Sequence, residues 1–200
     1  MGQYYKAWVL NGHQEACVSS WDFDSGSKLM EHSWWGNAFV NAVMYLIKDM
    51  PSMVAWVGDY SDSVGCPEYV FHYCWTETEE EEDEHCVIPE APENYLWDSE
   101  QKCNKTQGTG YILNYDKKTY IDLDKYIAMN EPADESWGCI VHPLPLLTEI
   151  GNGQGGGDYH KGRAFDIVGT WFGDVLEYTN EKPPEPFLDI TSLVLFKEER

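Results

Sequence analysis

Polar and apolar positions alternate from the first residues of the chain. Tyr5, Ala7 and Val9 interleave with Lys6, Trp8 and Leu10, the period-2 pattern of a strand with two different faces. Asn11-Gly12 follows, a tight-turn dipeptide because both residues tolerate positive φ. Residues 14–20 return, so 3–21 read as a β-hairpin. The period then changes. Phe39, Val43, Leu46, Ile47 and Met50 recur at helical spacing, predicting an amphipathic helix over 36–50 that Pro51 ends. Residues 53–57, Met-Val-Ala-Trp-Val, are apolar throughout and short, as in a buried strand, and run into Gly58-Asp59-Tyr60.

The second half is read the same way. Tyr111–Tyr115 and Thr119–Leu123 flank Asp116-Lys117-Lys118 and predict a second hairpin, in a region extending to 127. Cys139 to Leu147 is apolar but carries Pro143 and Pro145, which suits an edge strand or irregular extended chain. Residues 151–157 are a glycine-rich loop, and 165–178 and 187–196 are further strand candidates, with Gly173-Asp174 interrupting the first. Hairpins outnumber helices. The expected class is α+β, a mainly antiparallel sheet with one main helix packed on it. Two hundred residues fit one domain, with an irregular excursion at about 61–108. That stretch holds four of the six cysteines, three prolines and seven acids within residues 77–84.

Charge narrows the classes of partner. There are 35 acids against 13 bases, a formal net charge of -22. Such a field repels phosphate backbones and anionic membranes, so no direct nucleic-acid or membrane binding is expected. It suits a protein partner with a basic surface, or simple solubility. No apolar run approaches the ~18 residues of a spanning helix. Met1-Gly-Gln-Tyr-Tyr-Lys6 has no apolar signal core, and the expected compartment is the cytoplasm, where cysteines stay reduced or bind metal. Nine Trp, 13 Tyr and 7 Phe are a rich supply of rings for a core or a binding surface.

Several segments are familiar as a set: Met1–Lys6, Lys28-Leu-Met-Glu-His-Ser-Trp34, Val54-Ala-Trp-Val-Gly-Asp-Tyr60, Asn114–Lys118, His142-Pro-Leu-Pro-Leu-Leu147, Gly151-Asn-Gly-Gln-Gly-Gly-Gly-Asp-Tyr159 and Val168-Gly-Thr-Trp171. Together they resemble a family of hypothetical proteins of bacteria and their phages. The resemblance covers most of the chain outside 61–108. It implies a bacterial or phage-encoded origin and brings no activity, cofactor or catalytic residue with it.

Three regions have the residue types for chemistry. In the loop 151–159, Gly153, Gly155, Gly156, Gly157, Asp158 and Tyr159 offer bare backbone N–H groups to a ligand, either that or a flexible connection. No Gly-Lys-Ser/Thr follows, so it is not a P-loop. Trp34, Trp35 and Tyr60 are the rings that would complete such a ligand site. In the second region, His32, Asp59, Asp158 and His160 are the types needed for acid–base hydrolysis or for binding a cation, with Glu31 either beside them or capping a helix. A place in the core or at its rim is the competing reading of His32, which stands beside two tryptophans in the sequence. In the third, Cys66, Cys74, Cys86 and Cys103, with His72 and His85 as alternates, are the right types for structural zinc, although no Cys-x-x-Cys pair is present. Buried free thiols are the competing reading. With no catalytic signature, the expected function is non-enzymatic binding: of a basic protein partner, as a phage-type inhibitor of a host nucleic-acid enzyme would do, or of a small ligand at the glycine-rich loop. A hydrolase is the other class.

Overall fold

In a computed structural model, residues 2–12, 14–75, 110–130, 140–155, 157–159 and 166–194 are described, and the fold is that of these residues. Strands β1 (Tyr5–Asn11) and β2 (Gln14–Ser19) form the expected hairpin, with Asn11 opposite Gln14 and Gly12 left-handed at φ 51°. β3 (Ser52–Gly58) lies antiparallel on the other edge of β1, from Tyr5↔Gly58 to Leu10↔Met53. The second hairpin is β4 (Tyr111–Asn114) and β5 (Thr119–Asp122). β7 (Val175–Thr179) joins the two hairpins by pairing with both β3 and β4. Two short strands, β6 (Glu149–Ile150) and β8 (Leu188–Asp189), add parallel to β3 and β5. The result is an eight-stranded, mostly antiparallel sheet, the α+β arrangement expected.

The alternation read in β1 sorts its side chains onto two faces. Tyr5, Ala7 and Val9, with Val54 and Trp56 of β3, belong to one apolar cluster. Trp8, with Ala55 and Val57, belongs to another. Against the first face pack α1 (Leu29–His32), α2 (Ala38–Leu46), α4 (Leu123–Met129) and α5 (Pro143–Thr148). Against the second packs α3 (Glu68–Cys74). No helix among the described residues is long and apolar enough to cross a membrane.

α2 is the helix expected over 36–50, trimmed at both ends. Asn37 caps it: its Oδ1 accepts from the N–H of Phe39 at 2.9 Å, while its Nδ2 donates to Ser25 Oγ. Phe39 reaches Trp56 of β3, ring centroids 5.1 Å apart.

Three expectations need correction. Residues 143–148 form a helix, not an edge strand. Pro143 and Pro145 stand in its first turn, where backbone N–H groups have no intrahelical acceptor and proline costs little; His142 caps it by accepting from Leu144 N at 3.1 Å. Residues 61–75 are ordered, with a 3-10 turn and α3, where irregular chain was expected; 76–108 lie outside the described residues. Among the described residues of 165–178 and 187–196, the strands are Val175–Thr179 and Leu188–Asp189; 165, 195 and 196 lie outside the described residues. The residues after β5 turn into α4, with Asp122 as the cap that accepts from Lys125 N.

Replacing Asn37 by Ala removes the cap of α2 and its tie to Ser25. The expected loss is about 1–2 kcal/mol in urea unfolding, with Asn37→Asp retaining most of the stability. Equal stability of the Ala variant would show that the cap is not what starts this helix.

Candidate functional site

At the Gly58 end of β3, four sequence-distant segments meet: the strand leading into β1 (Gln3, Tyr5), Gly58-Asp59, Glu149 at the start of β6, and the loop 151–159. The chain closes on itself tightly here. A Cβ on Gly58 would lie 2.1 Å from Gln3 Nε2, and one on Gly151 would lie 2.3 Å from the Tyr5 hydroxyl. Glycine at these two positions lets loop and strand approach to contact distance.

The Tyr5 hydroxyl is the centre of the site. Its oxygen lies 3.0 Å from Glu149 Oε1, 3.2 Å from Asp158 Oδ1 and 3.2 Å from Gln3 Oε1. A phenol has one proton to donate, and three acceptors surround it. Asp158 is fully buried, and its other oxygen accepts from Gly155 N at 2.9 Å. The Gln3 oxygen accepts from Asn152 N at 3.1 Å, which fixes the orientation of its amide. That leaves Gln3 Nε2 buried with no hydrogen-bond partner among the described residues.

The protonation states follow from burial and crowding. Burial, reinforced by the charges of Glu149 and Asp158, holds the Tyr5 phenol protonated far above its ordinary range. Burial pushes the Glu149 carboxyl up to about 7, with the charge of Asp158 adding to the rise and the Tyr5 hydroxyl opposing it. Asp59 is also raised, first by burial. Its Oδ1 accepts from Tyr4 N at 3.1 Å at the rim of the site. The phenol donates to Glu149 or to Asp158; a proton on Glu149 would supply a second donor and leave the phenol's own for Asp158. The hydroxyl shortage is relieved when the cluster holds one extra proton.

The two Gly-Asp-Tyr tripeptides, 58–60 and 157–159, thus arrive at one place, bringing Asp59 and Asp158 with them. Tyr159 is buried and its hydroxyl bonds Ser33 Oγ; Gly157 O accepts from Met30 N at 2.9 Å. Gly155 is buried and Gly153 exposed in the left-handed region. His160 and Gly156 lie outside the described residues. His32 does not join the cluster. It is fully buried, its Nε2 accepts from Trp56 Nε1 at 3.0 Å, and its Nδ1 donates to Gly26 O at 2.9 Å. Both ring nitrogens are occupied, and burial lowers its pKa to about 4, so it is a neutral core histidine. Glu31 caps its own short helix through Lys28 N. Trp35 is buried between His142 and Tyr126, and Trp34 bridges to Val141. Tyr60 is exposed.

Gln3, Tyr5 and Glu149 were not singled out in the sequence. Tyr5 counts as an apolar strand position by period, and Glu149 is a lone acid between helix and loop. Its place immediately before the glycine-rich loop is the signal that could have found it.

Cys66 and Cys74 pack with Cys17 against Trp8, Ala55, Val57 and Val70 on the second face of the sheet, as free thiols. Burial raises the Cys66 thiol. His72 is exposed, 3.6 Å from Glu68. Among the described residues no group of three or more His, Cys, Asp or Glu is placed to hold a metal; Cys86, Cys103 and His85 lie outside them.

The Glu149 shift has a definite sign. Between its ordinary value of 4.5 and about 7 the folded chain keeps a proton that the unfolded chain has released. Stability therefore falls as pH rises through that window. Glu149→Gln is expected to flatten the fall and to be more stable than the parent at pH 8 by ~2 kcal/mol, with no such advantage at pH 4.5. Urea unfolding across pH 4.5–8 measures it, and parallel curves for the two proteins would show that Glu149 ionises freely.

Comparison of the chain with protein-family models, curated proteins and solved structures finds no match. Its function is read from this geometry alone.

Proposed function

We propose that the chain is a binding protein for a small ligand, held at the carboxyl–phenol cluster beneath the glycine-rich loop. The observation that carries this is the surplus of acceptors around one hydroxyl proton: Glu149, Asp158 and Gln3 Oε1 on Tyr5, with Asp59 at the rim. A ligand that brings N–H donors and positive charge would take the place of the extra proton. An ammonium or guanidinium group fits that need, since each donates several hydrogen bonds at once. The unpartnered Gln3 Nε2 adds a buried donor for an acceptor on the same ligand. A bare metal ion suits the site less well. Calcium takes six to eight oxygen ligands, and the described acids are not spaced to enclose one.

The loop's own N–H groups argue against an anion. Asn152 N, Gln154 N and Gly155 N already donate to Gln3, Asn152 and Asp158, and two carboxyls stand beneath them. What the loop contributes is closure over the cluster, which glycine permits.

The test is thermal unfolding and calorimetry with methylammonium, methylguanidinium and calcium chloride. One of the two organic cations is expected to stabilise the chain saturably, by about 2.7 kcal/mol at a hundredfold excess over Kd. Gly151→Ala, which wedges a methyl group against the Tyr5 hydroxyl, is expected to abolish the effect. No stabilisation by either cation, or an equal effect in the Ala variant, would overturn the proposal.

A further inference from the structure

A second surface lies outside the cluster, on the solvent side of the same end of the sheet. Trp21 is 61% exposed, and Tyr4 and Tyr60 are each 41% exposed. The rings of Tyr4 and Trp21 meet edge to face with centroids 6.3 Å apart. Tyr60 follows Asp59, whose N donates to Tyr4 O at 2.9 Å and whose Oδ1 accepts from Tyr4 N. Two large rings meeting in water, with a third exposed ring one residue beyond their backbone partner Asp59, are unusual, since each buries well in a core.

Acids interleave these rings. Asp22 follows Trp21, Asp59 precedes Tyr60, and Asp62 lies two residues beyond it; Asp22 and Asp62 are exposed. None of the three forms an ion pair among the described residues, where the pairs are those of Glu31, Glu68, Asp174 and Asp189. Ring faces attract cations electrostatically, and carboxylates pair with them. A surface that alternates the two, with no base paired to its acids among the described residues, is complementary to one side chain above others. Arginine stacks its planar guanidinium on a ring while its N–H fork engages a carboxylate. The net charge of -22 favours the same partner at long range.

We infer that Tyr4, Trp21 and Tyr60, with the carboxylates of Asp22, Asp59 and Asp62, form a docking surface for arginine side chains of a basic protein partner. Trp21 is the anchor, as the largest and most exposed ring. The surface shares Asp59 with the rim of the buried cluster, but its rings are exposed, and substitutions at Trp21 or Tyr60 leave Tyr5, Glu149 and Asp158 in place.

Binding of an arginine-rich peptide, measured by calorimetry, tests this against the same peptide with citrulline at each arginine, which keeps the shape and removes the charge. The arginine peptide is expected to bind and the citrulline peptide is not. Trp21→Ala changes no charge and, being at an exposed position, leaves the fold intact by circular dichroism; it is expected to weaken the arginine peptide about tenfold. Tyr60→Ala is expected to weaken it less. Three results would overturn the inference: no binding of the arginine peptide, undiminished binding to both variants, which assigns it to bulk charge, or a dimer in sedimentation that Trp21→Ala dissociates, which assigns the surface to a second copy of the chain.

Discussion

The fold turns on how β3 fills its second edge. Six of its seven residues are buried, so every N–H and C=O along it needs a partner inside the protein. β1 takes one edge from Met53 to Gly58. The other edge is shared. β7 pairs at Ser52 and Met53, residues 173 and 174 exchange backbone bonds with Val54, and β6 pairs at Trp56 and Val57. Because β6 runs parallel to β3, the chain leaves it at the Gly58 end of the sheet. The glycine-rich loop must begin there, directly over the start of β1. The position of the site is thus a consequence of completing a hydrogen-bond ladder.

That placement carries an electrostatic cost. Glu149 is drawn into partial burial by its backbone pairing, and Asp158 into full burial by the loop's closure on Gly155 N. Both then share one phenol. Desolvated like charges at such range repel strongly unless a proton or a cation intervenes. A fold free to optimise stability alone would place an amide at one of these positions. Such perturbed carboxyls concentrate at functional sites, and here they coincide with a buried amide nitrogen, that of Gln3, unpaired among the described residues.

The sequence was informative wherever a period dominated. β1, β2 and α2 follow from alternation and helical spacing, and even the two faces of β1 were present in the order Tyr5, Lys6, Ala7, Trp8. Helix α5 is hidden in the sequence because two prolines suit an edge strand or irregular chain equally well, and their harmlessness in a first helical turn depends on where His142 starts the helix. α3 was hidden because its seven residues adjoin the acid run and look like part of it. At the site, residue type alone nominated His32, whose burial under Trp56 has no local signature. The same reasoning passed over Tyr5, since a tyrosine in a strand is apolar by pattern and its hydroxyl acquires a role only when Glu149 and Asp158 arrive from more than 140 residues away. Asp59 and Asp158 were legible as a repeated Gly-Asp-Tyr, and their meeting is what the tertiary structure adds.

The acidity of the chain now divides by environment. A carboxyl such as Glu149, with its pKa pushed up to about 7, is close to half protonated at neutral pH, so it supplies hydrogen-bonding capacity more than field. Exposed carboxylates such as Asp22 and Asp62 face solvent and act at a distance. The formal charge of -22 treats these groups alike. A protein can use one kind of acid to select a ligand by local donors and acceptors, and the other to attract a basic partner across a Debye length of ~8 Å. The two should separate experimentally, because added salt weakens long-range attraction between exposed groups far more than it weakens a buried hydrogen-bonded cluster.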